Sequence, residues 1–176
     1  MAGIAVLMRE SILALFPNYY DEIQTASAAV HIGDPDVTLI EDGTYFVAEA
    51  PGATGKIVAC GGWSRRDKLY TGSGADAGDA RLLDPATEPA RVRAMFVHAD
   101  WTRRGLGRAI IDACARAALA EGFQRLALMA TLPGEPLYRA CGFAEVGRGP
   151  LTMPDGVVVE GVAMERAVLD AHTTGA

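Results

Sequence analysis

Cysteine and histidine are scarce in this chain, and neither clusters. Each occurs three times in 176 residues. Cys60, Cys114 and Cys141 form an odd set without C-x-x-C spacing. That argues against a disulfide framework and against a zinc site, so no metal is expected. Cys114 and Cys141 sit in apolar patterns and read as buried thiols. Long hydrophobic runs are also missing. The opening MAGIAVLMRESILALF is apolar but short, lacks a basic leader and soon meets Arg9 and Glu10. It does not read as a signal peptide, and no run reaches a membrane span. A cytoplasmic setting with no membrane partner is the expectation. Positive charge is outnumbered, with 16 Lys and Arg against 22 Asp and Glu. Nucleic-acid binding needs a positive field, so no nucleic-acid partner is expected. Internal repeats are absent. The length and a 22% charged fraction suit one globular domain over residues 1–176.

What is present alternates between two periods. Ala5–Phe16 has helical apolar spacing and stops at Pro17. NYYDEIQTASAAVHI reads as a second helix, and GDPD and EDG as loops. Thr44–Ala50 and Lys56–Trp63 read as strands joined by the turn PGATG. Asp67–Pro89 is rich in Gly, Ala and Asp and has no period, the mark of a functional or mobile loop. Arg91–His98 reads as a strand, Leu106–Ala120 as a helix, Phe123–Ala130 as a strand and Pro136–Cys141 as a short helix. Two last strands, Ala144–Arg148 and Val157–Glu165, flank the turn MPDG. This alternation predicts an α/β layered fold. In the long helix the apolar stripe falls on Leu106, Ile110, Ala113, Ala117 and Ala120.

The junction before that helix concentrates charge and glycine. TRRGLGR, Thr102–Arg108, carries three arginines and two glycines at the point where a strand and loop open into a helix. The first amides of a helix lack internal partners, and the macrodipole makes that end positive. Glycines let an anion approach the backbone, and Arg103, Arg104 and Arg108 add formal charge. The pattern predicts a phosphate or pyrophosphate site. It is not a Walker loop, because Arg108 and Ala109 stand where Lys and Ser or Thr are needed. Nor is it a dinucleotide fingerprint, because Ile110 stands where a third small residue is needed.

These residues resemble the GNAT acetyltransferase superfamily. Its Arg/Gln-x-x-Gly-x-Gly/Ala motif is similar to TRRGLG, Thr102–Gly107, preceded by the strand MFVHADW. Thr102 replaces the usual Arg or Gln. EPLYRACGFAEVG, Glu135–Gly147, is similar to the family's lYeklGF segment and follows in the right order. Thr131 stands where many members place an Asn, and the family's first strand is not evident.

The resemblance implies a mixed, mostly antiparallel central sheet flanked by helices, with two splayed central strands. It implies acetyl-CoA as acyl-donor substrate, its pantetheine lying in the gap as a pseudo-strand. The donor contacts implied are Met95, Phe96 and Val97 on one strand, Arg103, Arg104, Gly105, Leu106, Gly107, Arg108 and Ala109 at the pyrophosphate, and Thr131 and Tyr138 opposite. The reaction implied is direct acetyl transfer to an amine, with the Met95 amide at the thioester oxygen and Tyr138 as acid for the departing thiolate. A phenol of pKa about 10 matches that leaving group.

The general base is not evident. Strict alternation puts Arg91, Arg93, Met95 and Val97 on one strand face. Arg91 and Arg93 are candidates for gripping an anionic group of the acceptor, or for salt-bridging the strand end. Glu49, Asp79 and Glu88 are weaker candidates for the base, and His98 reads as structural. The Asp67–Pro89 loop is expected to border the acceptor. The expected activity is acetyl-CoA-dependent N-acetylation of a small-molecule amine. Protein or peptide N-acetylation and a non-catalytic acyl-CoA-binding module are the alternatives, and a homodimer is left open.

Overall fold

Side-chain caps start two of the described helices. The computed structural model describes residues 1–52, 55–68 and 81–168. Helix α1 spans Ala2–Leu15 and gives way to a 3-10 turn at Phe16–Asn18, where Pro17 enters. Helix α2, Glu22–His31, begins in a capping box. The Asp21 carboxylate accepts from the Gln24 amide, and the Gln24 side chain accepts from the Asp21 amide. Asp36 caps α3, Val37–Glu41, a helix the loop signals around it conceal. Five residues are too few for an apolar period to show.

The rest alternates strand and helix: β1 Tyr45–Glu49, β2 Ile57–Ser64, β3 Ala90–Val97, α4 Leu106–Ala120, β4 Arg125–Thr131, α5 Glu135–Ala140, β5 Ala144–Thr152 and β6 Val158–Ala167. The strands form one sheet in the order β1-β2-β3-β4-β6-β5. Every neighbouring pair is antiparallel except β3 and β4. This is the expected mixed, mostly antiparallel sheet flanked by helices. Helix α4 connects β3 to β4, and such a crossover makes its strands parallel. The two pair only at Ala90 with Leu126 and Arg91 with Ala127. Beyond those residues they part, as the splayed pair was expected to do. Strand β5 continues past the expected Arg148 to Thr152, through Gly149 and Pro150. It lies at the sheet edge, where a proline breaks no ladder.

Helix α4 covers one face of the sheet, where Ile111, Cys114 and Ala118 pack against Trp63, Val92, Leu126 and Leu128. On the other face Ile4, Leu7 and Met8 of α1 meet Cys60, and Ile12, Phe16 and Ala28 meet Leu151 and Val159. The buried stripe of α4 is Gly107, Ile110, Ile111, Cys114, Ala115 and Ala118. The expected stripe has the same period but a different phase, sharing only Ile110. Alanines are common all round this helix, so they mark its inner face poorly.

Strict alternation along β3 fails at one point. Cys60 pairs with Phe96 and Gly62 with Arg93, so Ala94 and Met95 together oppose the single residue Gly61. Ala94 has φ 55°, the left-handed conformation of a β-bulge residue. The extra residue reverses the facing of everything after it. Met95 and Val97 pack with the α4 cluster, as Val92 does, whereas Arg93 reaches Asp36 at the start of α3. The expectation that Arg91, Arg93, Met95 and Val97 share a face is corrected accordingly.

Candidate active site

The parting of β3 and β4 leaves a cleft of about 610 Å³, within the usual size range of small-molecule sites. Residues 92–97 of β3 form one wall. Met129 and Thr131 of β4, with Leu137 and Tyr138 of α5, form the other. The start of α4 closes one end. Leu15, Phe16, Ile32, Leu151 and Met153 form an apolar lining elsewhere. Of the expected site residues, Arg93, Met95, Phe96, Val97, Arg103, Gly105, Leu106, Gly107, Arg108, Thr131 and Tyr138 line the cleft. Arg91, Arg104 and Ala109 do not.

The α4 start is shaped by backbone more than by side chains. Gly105 caps the helix with φ 80° and ψ 1°, and Arg103 before it has φ 63°. Left-handed residues beside a helix start turn successive amides into one concavity, which suits an anion. No atom lies within 4 Å of where a Cβ on Gly105 would sit, so that face is open. The available amides end at Arg108, because the Ala109 amide donates to the Gly105 carbonyl at 3.0 Å as the first helix bond. The pyrophosphate contact expected of the Ala109 amide is therefore corrected. Gly107 has a different reason to be glycine. Its Cβ would lie 2.7 Å from the Leu137 side chain, so it lets α5 approach α4. The Arg104 guanidinium stacks 4.6 Å over Trp101, Arg108 donates to the Ala140 carbonyl at 2.7 Å, and the Thr102 hydroxyl donates to the Ala99 carbonyl at 2.9 Å. Open amides and positive charge fit a pyrophosphate at this end.

Tyr138 is 8% exposed, with its ring edge-on to Phe143 at 5.8 Å. Burial pushes its phenol above the ordinary tyrosine value, with smaller contributions from the Cys114 and Cys141 thiols nearby. The match to a thiolate read from an unperturbed phenol is altered by that burial. The same dry surroundings also make a thiolate more basic, which offsets part of the difference.

Arg93 and Arg91 already have carboxylate partners. Arg93 Nε donates to Asp36 at 2.8 Å, with side-chain exposures of 1% and 3%, and Nη1 donates to the Lys68 carbonyl. Arg91 donates to Asp67 at 2.8 Å. Arg81 and Arg91 together hold the Asp67 carboxyl below its ordinary range. An acceptor anion would have to displace these carboxylates. Glu49 is exposed on β1, and Glu88 is paired with Arg81, which lowers its carboxyl. Neither lines the cleft. Asp79 and residues 69–80 of the expected acceptor loop lie outside the described residues. His98 accepts from the Asp100 amide at 3.2 Å and caps the turn Ala99–Trp101.

Several cleft-building residues carry no local sequence signal. The Tyr20 hydroxyl accepts from the Leu132 amide at 2.8 Å and donates to the Glu160 carbonyl at 2.7 Å, tying the end of β4 to β6. Ser11 on α1 donates to the Val97 carbonyl at 2.9 Å. Their partners lie 86 or more positions away, beyond the reach of any motif.

The profile of the acetyltransferase (GNAT) domain family matches residues 41–145. Among solved structures, a GCN5-related N-acetyltransferase from Rhodopseudomonas palustris has a TM-score of 0.71 at 19% identity, covering 94% of this chain and 88% of that one. The PaiA N-acetyltransferase from Thermoplasma acidophilum, in complex with coenzyme A, has a TM-score of 0.62 at 11% identity, covering 94% and 91%. A ribosomal-protein-alanine N-acetyltransferase from Brucella melitensis has a TM-score of 0.57 at 14% identity, covering 94% and 93%. At these identities the likeness is one of fold. No curated protein sequence matches significantly.

Proposed function

Since the chain belongs to the GNAT acetyltransferase family, we propose that it binds acetyl-CoA along the β3–β4 cleft and acetylates the amine of a small molecule with an apolar body. The observation that carries this reading is the parallel strand pair that separates after two paired residues and ends at the open amides of α4. Such a gap offers a pantetheine arm unsatisfied strand edges, and the helix start offers its pyrophosphate a positive end.

The chain's own groups then divide the work. The amides of residues 105–108, with Arg103 and Arg108, hold the pyrophosphate. The Met95 amide meets the charge that builds on the acyl oxygen, and Tyr138 returns a proton to the departing thiolate. Acetyl-CoA supplies the acyl group as a thioester. The amine attacks the acyl carbon, the carbon–sulfur bond breaks, and the amine's extra proton passes to water. Among the described residues no carboxylate or imidazole lines the cleft. The apolar lining from Phe16, Ile32, Leu151 and Met153 supports an acceptor whose amine sits on an aliphatic or aromatic body.

Calorimetry with acetyl-CoA, followed by turnover on aryl-alkyl amines, polyamines and short peptides, tests the reading by mass spectrometry of the products. We expect binding and preferential acetylation of the aryl-alkyl amines. Acetylation confined to peptides would move the acceptor to the protein class, and binding without transfer to any amine would leave an acyl-CoA-binding module.

A further inference from the structure

The bulge on β3 sets one partly buried carbonyl outside the regular register. Two residues of β3 oppose one of β2, and Ala94 has no register partner of its own on β2. A buried carbonyl needs a donor. The Tyr45 hydroxyl, from β1 two strands away, donates to it at 3.3 Å. The Cys60 thiol of β2 also approaches it, at 3.9 Å. Tyr45 sits opposite Gly62, and its ring crosses β2 there. A Cβ on Gly62 would lie 2.9 Å from the Tyr45 ring and 2.8 Å from the Thr44 carbonyl. On the opposite face a Cβ on Gly61 would lie 2.0 Å from the Met95 sulfur. The Gly61-Gly62 pair thus makes room for the two side chains that flank the bulge, one on each face.

The direction of that carbonyl fixes the direction of an amide. The Ala94–Met95 peptide is trans, as every described peptide bond is. A planar trans peptide aims its N–H opposite to its C=O. The carbonyl is drawn toward β1 and β2, so the Met95 N–H is turned the other way, toward β4 and the cleft that Ala94 and Met95 line. Ala94 adopts φ 55° without being glycine, a conformation that persists only where neighbours hold it.

We propose that Tyr45 is a positioning residue for acyl transfer, locking the bulged Ala94–Met95 peptide so that the Met95 amide faces the thioester oxygen. The role rests on the reading of Met95 as donor to that oxygen. Tyr45 touches neither substrate. Its effect runs through one hydrogen bond, with Cys60 as the weaker second donor. Burial raises both side chains above their ordinary values, Cys60 to about 11, so each keeps its donor proton at neutral pH.

The test uses acetyl-CoA labelled with ¹³C at the acetyl carbonyl and the Tyr45→Phe protein, which keeps the ring and loses the hydroxyl. In the wild-type protein the carbonyl stretch of bound acetyl-CoA is expected to fall below its value in water. In Tyr45→Phe it should return toward that value. On the amine acetylated fastest, kcat should fall about tenfold or more, short of the 10²–10³ typical of losing an oxyanion donor outright. Acetyl-CoA Kd should be unchanged, and Tm should fall only by the few degrees that one lost hydrogen bond costs. Gly62→Ala, which pushes the ring aside while keeping the hydroxyl, should reproduce the carbonyl shift. An unchanged stretch and kcat in Tyr45→Phe, beside a shifted stretch in wild type, overturns the positioning role alone. A wild-type stretch equal to that in water overturns the reading of Met95, and the positioning role with it. A joint loss of Tm, affinity and kcat makes Tyr45 a structural residue and also overturns the proposal.

Discussion

The two sides of the cleft are built by opposite means. At the α4 start almost everything is local. Residues 102–108 supply the turn, the left-handed residues, the open amides and the exposed arginines in one stretch of chain. The β3 wall is assembled from afar. Asp36 neutralises Arg93, Lys68 caps it, and Tyr45 and Cys60 hold the bulge carbonyl. Arginines stand on both sides, yet burial divides them. Arg93 is 4% exposed and acts inside the molecule, while Arg103 and Arg104 face solvent. Charge in a sequence therefore says little about role until the partner is known.

The contrast breaks most sharply at Arg93. Replacing it with Ala takes the guanidinium from the buried Asp36 carboxylate, and removing one partner of a buried pair costs about 3–5 kcal/mol. That is a large part of a domain's stability of roughly 5–15 kcal/mol. Chemical denaturation should show this loss in Arg93→Ala. In whatever fraction stays folded, acetyl-CoA affinity should be retained. Unchanged stability, with only the acceptor KM raised, would instead return Arg93 to acceptor recognition.

Tyr138 joins the two sides, since α5 packs on α4 and its ring faces the cleft. Tyr138→Phe should lower kcat about 10²-fold, the common scale for losing an acid–base partner. Acetyl-CoA Kd should stay as it is. The pH dependence has a definite sign. Burial raises this phenol, so it remains protonated past pH 10, where a free phenol is half ionised. The wild-type kcat should then show no fall due to Tyr138 as pH rises to about 10. The Phe variant should be slower by a constant factor across that range. A wild-type downturn near pH 9, abolished in the variant, would show the phenol to be unperturbed.

The local side was legible in the sequence and the assembled side was not. TRRGLG and LYRACGF mark the α4 start and α5 because each motif sits within a few consecutive residues. The parting of β3 and β4 followed from the family resemblance those motifs carry. The bulge escaped because alanine gives no sign of a left-handed φ, and one unmarked residue reversed the facing of Met95 and Val97. Tyr20, Ser11 and Tyr45 escaped because their partners are 49 to 140 positions away. The short α3 escaped because Asp36, which caps it, reads equally well as a turn residue.

Gly107 sharpens the comparison, since it serves the packing of α5 on α4, as the Arg108 bond to the Ala140 carbonyl also does. Gly107→Val would crowd the Leu137 side chain, and overpacking costs about 1–3 kcal/mol. Thermal melts should show the loss, and calorimetry should show weakened acetyl-CoA binding as α4 and α5 move apart. Equal stability with lost binding would mean that the glycine serves the anion alone.

Arg104→Ala should have the smallest effect, and the reason is the nature of the site. Arg104 lies in solvent, stacks on Trp101 and does not line the cleft. An exposed charge acts through screened solvent and is worth little. The amides of residues 105–108, proposed to hold the pyrophosphate, belong to the backbone whatever side chain stands at 104. Acetyl-CoA Kd should rise about fivefold or less at physiological salt, with kcat unchanged, and the difference should shrink in 0.5 M salt. A loss of a hundredfold that persists in high salt would mean a direct, desolvated contact. The α4 start would then rely on side chains as heavily as the β3 wall does, and the division between the two sides would fail.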